Sequence, residues 1–109
     1  MASLKQVANG LEYSYKEPST NVNGSPLIDL DHTEIFVDVG AGPAKVMDVP
    51  ASSPNGGGDV VQILQNPFSE GQEGTVTAFS IAVDDNGNQA VKGGEATADV
   101  DFLAPSPTL

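Results

Sequence analysis

The sequence predicts an all-β fold, a seven-stranded Greek-key β-sandwich. Three observations carry that expectation. Twelve glycines and eight prolines interrupt the 109 residues so often that a helix of ordinary length has almost no room. Between the interruptions apolar residues alternate with polar ones, the period-two signature of strands with one buried face. Seven such segments, separated by turn residues, fit two antiparallel sheets packed face to face.

In chain order, Ser3 to Ala8 supply an opening strand. Leu11, Tyr13 and Tyr15 then alternate with Glu12, Ser14 and Lys16 up to Pro18. Ile35, Val37 and Val39 alternate with Glu34, Phe36 and Asp38 up to Gly40, and Val46 to Val49 form a short strand. Val60 to Leu64 follow after Ser52 to Gly58, a run whose composition predicts a flexible, exposed loop. Thr75 to Val83 are a strand of open register. Phe79, Ile81 and Val83 make one apolar face, Val76, Ala78 and Ala82 a smaller one, and a slip of one residue exchanges them. Ala96, Ala98, Val100 and Phe102, set between Thr97, Asp99 and Asp101, close the sandwich. Ala104-Pro105-Ser106-Pro107 predicts an extended, polyproline-like tail.

The length supports one domain over residues 1–109 with a single core. Net charge is −11, from 15 acidic residues against four lysines, so nucleic acid and anionic membrane surfaces are repelled as partners. There is no cysteine, which removes disulfides, thiolate metal sites and thiol nucleophiles. The first ten residues lack the basic region and apolar run of an export signal, and no stretch approaches the ~20 apolar residues that span a bilayer.

Two segments resemble bacterial fibronectin type III domains. Tyr15, three residues before Pro18, leads into Asn21-Val-Asn23-Gly24-Ser25-Pro26-Leu27-Ile-Asp29-Leu30, similar to the connection between the second and third strands of that family. Ala82-Val83-Asp84-Asp85-Asn86-Gly87-Asn88 resembles the end of its sixth strand. The resemblance spans roughly residues 8–103 and implies an immunoglobulin/fibronectin type III-like sandwich with Tyr15 in place of the core tryptophan. Thr33 and Val76 stand where the family usually carries tyrosine. It also implies a spacer, adhesion or assembly module rather than a catalyst.

Two clusters offer chemistry. Asp84, Asn86, Asn88 and Glu95 occupy the first, third, fifth and twelfth places of an EF-hand-type calcium loop, but Gln89 stands where the loop's glycine belongs. The flanking segments have strand rather than helix periodicity, so the favoured expectation is a hairpin turn, with no metal bound. Asp29, Asp31, His32 and Glu34 have the composition of a metal or acid–base site; the favoured expectation is a solvated loop entering a strand. No nucleophile elbow or phosphate loop is present, and Asn23-Gly24-Ser25 reads as a connecting turn rather than a glycosylation site. Neither an enzyme nor a cofactor is expected.

The expected function is a non-catalytic structural or interaction module. A single such domain starting at methionine suits a bacteriophage virion component, a capsid or tail decoration located on the particle. It would bind a viral capsid or tail protein, or itself, by strand edges, loop ends or short arms at residues 1–8 and 104–109. Leu4, Val7, Ala104 and Pro105 are the expected contacts of those arms. The alternative is an accessory or spacer module of a secreted, extracellular bacterial carbohydrate-active enzyme or adhesin.

Overall fold

A computed structural model describes residues 2–8, 10–65, 67–68 and 73–108. It is a seven-stranded sandwich with no helix among those residues. The strands are β1 (Ser3–Val7), β2 (Gly10–Lys16), β3 (Leu30–Asp38), β4 (Ala44–Pro50), β5 (Asp59–Leu64), β6 (Glu73–Asp84) and β7 (Gly93–Asp101). One sheet has the order β1-β2-β5 and the other β4-β3-β6-β7, with every pair antiparallel. The chain crosses between sheets after β2, β4 and β5, which makes the Greek-key path of an immunoglobulin/fibronectin type III-like sandwich.

The two inner faces interdigitate. Leu4 of β1, Leu11, Tyr13 and Tyr15 of β2, and Leu64 of β5 pack against Ile35 and Val37 of β3, Val76 and Ala78 of β6, and Val100 of β7. Each large side chain among these removes its apolar surface from water, worth roughly 1.5–3 kcal/mol apiece. The register of β6 is settled by volume. Tyr13 and Tyr15 bring two stacked rings, 5.4 Å apart, from the facing sheet, and the small face of Val76 and Ala78 leaves room for them.

Phe79 therefore lies on the outer face, yet it is buried because it stacks on its cross-strand neighbour Phe36, with ring centroids 5.1 Å apart. Lys92 covers the Phe79 ring at 5.3 Å. On the same outer surface Thr75 donates to Asp99 at 2.8 Å and Thr77 meets Thr97 at 3.1 Å, so the Thr/Asp face foreseen for β7 forms a hydrogen-bonded ladder with β6.

Three expectations change. Residues 30–34 are part of β3 rather than a loop leading to it. The Ser52–Gly58 loop is pinned instead of loose: Glu17, 3% exposed, accepts hydrogen bonds from Ser52 N at 3.0 Å, Ser52 Oγ, and Gly58 N at 3.2 Å. Pro54 O also accepts from Leu30 N, and Asn55 Nδ2 donates to Leu27 O. Finally, residues 3–7 are a paired strand with Leu4 in the core, so the amino-terminal segment is not a free arm. A segment that buries a leucine and a backbone ladder cannot also swing out to a partner. Residues 104–108 are exposed and outside any strand, as expected for a tail, while Met1 and Leu109 lie outside the described residues.

Candidate functional site

The calcium-like residues end β6 and begin the hairpin to β7. Asp84 Oδ1 accepts from Asn86 N at 3.0 Å and Asn88 N at 2.8 Å, and its Oδ2 accepts from Asn88 Nδ2 at 2.9 Å. These bonds, the Asn88 side chain's first and then the backbone's, hold the Asp84 carboxyl below its ordinary pKa. Of the Asn86-Gly87-Asn88 run only Gly87 uses the left-handed region, at φ +83°. Glu95 is engaged elsewhere, with Lys92 Nζ at 3.0 Å. Asp84 thus works as the brace of a turn.

The second cluster is assembled by sheet register. His32 and Glu34 alternate onto the outer face of β3, and Glu34 sits directly opposite Asp48 of β4. Ligand atoms of His32, Glu34 and Asp48 lie within 4.8 Å of one another. Asp48 was absent from the sequence-based set because its proximity depends on β3–β4 pairing. Asp29, by contrast, is taken up in the connection before β3, where its carbonyl accepts from Asp85 N.

The cluster already contains a cation. Lys45 Nζ stands 3.2 Å from Asp48 and 3.7 Å from Glu34. His32 Nδ1 lies 2.7 Å from Asp31 and its Nε2 3.4 Å from Glu34, and the Asp31 hydrogen bond raises the histidine pKa. When protonated, the ring donates to a carboxylate from each nitrogen. A divalent ion would need to displace the Lys45 ammonium, so the arrangement's ready chemistry is ion pairing across β3 and β4.

Between the β2–β3 connection and the β6–β7 hairpin lies an open cleft of about 370 Å³, walled by Pro18, Leu27, Leu30, Val83 and Ala90. A smaller cleft of about 200 Å³ shares Pro18 and Ala90 and reaches Tyr15 and Thr33. The Tyr15 phenol and Thr33 hydroxyl are both buried without a hydrogen bond of good geometry. Burial raises the Tyr15 pKa, and the nearby Thr33 hydroxyl opposes that rise only in part. Tyr13 differs: its hydroxyl donates to Gly94 O at 2.7 Å and meets Ser80 Oγ at 3.2 Å.

The strand edges are the remaining site. Gln6 of β1 donates Nε2 to Asp101 O and accepts from Asp101 N, both at 2.8 Å, so its amide acts as a strand partner for the end of β7. On the other flank β5 presents Val61 and Ile63, 56% and 54% exposed, beside an outer edge with no strand partner among the described residues. Val7, expected as an arm contact, is instead the last paired residue of β1, and Ala104 and Pro105 are exposed in the tail.

Fold and surface together define an immunoglobulin/fibronectin type III-like β-sandwich domain whose β5 edge has no strand partner among the described residues. No family model, curated protein or solved structure matches the chain. Among the described residues no helix is long and apolar enough to cross a membrane.

Proposed function

We propose that the protein is a non-catalytic structural and interaction module that docks onto other protein through the β5 edge. Within that class we place it as a decoration or structural component of a bacteriophage capsid or tail. The observation that carries the docking role is the exposure of Val61 and Ile63 on a strand whose outer edge has no strand partner among the described residues, a ready template for adding a strand. The virion assignment rests on analogy, since tailed phages often use domains of this fold on their particles. An acidic chain of net charge −11 suits a particle surface, where like charge keeps decorated particles apart. The tail at Ala104 and Pro105 gives a second, exposed contact, taking over the role expected of both arms.

The test is co-sedimentation with phage particles, combined with the genes beside the coding sequence. The protein is expected to travel with particles, and Ile63→Lys to remain in the supernatant while melting as the parent does. Capsid, portal and tail genes are expected nearby. A reading frame continuous with a secreted enzyme or adhesin, or a variant that still travels with particles, overturns the assignment.

A further inference from the structure

Four strands lie at sheet edges, β1 and β5 in the smaller sheet and β4 and β7 in the larger. Natural sheets protect such edges with charge, proline, bulges or cover. Three of these are protected. The Gln6 amide ties β1 to the backbone of β7 at Asp101. β4 carries a register break opposite Ile35 and Phe36, the charged pair Lys45 and Asp48, and Pro50 at its end.

Beyond Asp59 at its opening residue, β5 has none of these devices among the described residues. It pairs with β2 over six rungs without a register shift. From Val60 to Ser69 the sequence holds no charge, in a chain with 15 acidic residues. Its outward side chains, Val61 and Ile63, are the exposed apolar pair. From Val60 onward nothing in the sequence of this edge opposes pairing, and the edge itself offers backbone donors and acceptors.

We propose that β5 pairs antiparallel with β5 of a second copy of this chain, joining two three-stranded sheets into one of six strands. This rests on the docking role given above to the β5 edge and names its occupant in the free protein, which a particle partner displaces on docking. A second copy fits because the strand is self-complementary. Pairing centred on Gln62 sets Val61 against Ile63 of the second copy, twice by the two-fold symmetry, on the exposed face. On the inner face Val60 meets Leu64, again twice. Asp59 falls opposite Gln65, so the acidic residue that opens the strand does not meet its own copy. Elsewhere the net charge of −11 repels a second copy, and this neutral window is long enough for the whole contact.

Sedimentation equilibrium of the full chain across a wide concentration range tests this. The mass is expected to move from 11.2 kDa toward twice that value. Added sodium chloride is expected to strengthen the association, because it screens repulsion between the copies and no ion pair holds the contact. Ile63→Lys and Val61→Lys each place a cation beside an apolar partner, and weaken dimerisation by roughly tenfold or more. Val46→Lys, on the β4 edge, leaves it unchanged. Should a lysine variant lose its cooperative melt, Ile63→Thr keeps the strand preference and supplies the same readout.

A wild-type chain that stays monomeric at every concentration, or a Val61→Lys/Ile63→Lys double variant that still dimerises, overturns self-pairing. The two roles fail separately. A monomer that travels with particles only when β5 is intact rejects the second copy and keeps the docking role. A β5-dependent dimer whose particle attachment ignores β5 rejects the docking role and keeps the dimer.

Discussion

The Gln6 side chain and the Asp101 backbone exchange two hydrogen bonds of 2.8 Å, joining the first strand to the last across the two sheets. Asp101 pairs with Glu73 of β6 on one side, and on the outer edge of β7 the Gln6 amide stands in for the missing ladder partner. Gln6→Ala is expected to cost about 1 kcal/mol in urea unfolding, since both backbone groups return to water rather than to burial. Removing residues 1–8 costs far more, because Leu4 and the whole β1 ladder go with it. Equal stability with and without those residues contradicts the placement of β1.

The two core tyrosines give opposite expectations for the same change. Tyr13→Phe strips the Gly94 carbonyl of its 2.7 Å donor and is expected to destabilise by about 1–2 kcal/mol. Tyr15→Phe removes a buried hydroxyl that has no well-formed bond, so its melting temperature holds or rises. Gly94→Ala belongs with the first variant. Gly94 has φ +59°, and a Cβ there would stand 2.8 Å from the Tyr13 hydroxyl oxygen. Thermal melts of the three variants give the comparison directly.

Glu17 holds the Ser52–Gly58 loop from a buried position 35 residues away in sequence from Ser52. Glu17→Ala leaves the Ser52 and Gly58 amides without their acceptor, at an expected cost of about 2–3 kcal/mol. Hydrogen exchange at Ser52 and Gly58 is expected to accelerate before global unfolding. Unchanged protection at both amides contradicts the pinned loop.

His32 links pH to stability. Its folded pKa is raised, foremost by the hydrogen bond from its ring to Asp31. The group's contribution is therefore fully present below the unfolded value, about 6.5, and is lost as pH rises through the higher folded value. An NMR titration is expected to find the imidazole titrating above the ordinary range, and Asp31→Asn to bring it down. A normal titration in the parent protein refutes the ion-paired ring.

Some of this was legible in the sequence, and the rest fails for physical reasons. β2 and β7 are clear because one face is polar and the other apolar, so only one register buries the core. β6 is apolar on both faces, and the choice depends on Tyr13 and Tyr15 in the other sheet and on Phe36 beside Phe79. The loop at Ser52–Gly58 has a flexible composition, and no local pattern announces that Glu17 will anchor it. Asp48 joins His32 and Glu34 only through strand register, whereas the Asp84 turn is local and its bracing residues sit within four positions of one another. The opening segment suggested both a strand and an arm, and the buried side chain of Leu4 decides between them.

The exposed edge of β5 is the centre of the functional account, and amide hydrogen exchange along its residues Val60 to Leu64 tests it most directly. In dilute protein the β5 amides that face away from β2 are expected to exchange quickly, while the Asp101 amide held by Gln6 stays protected. With phage particles, or at high protein concentration, those β5 amides should gain protection and the β4 edge should not. Unchanged exchange along β5 under both conditions, or protection appearing at β4 instead, contradicts β5 as the docking edge.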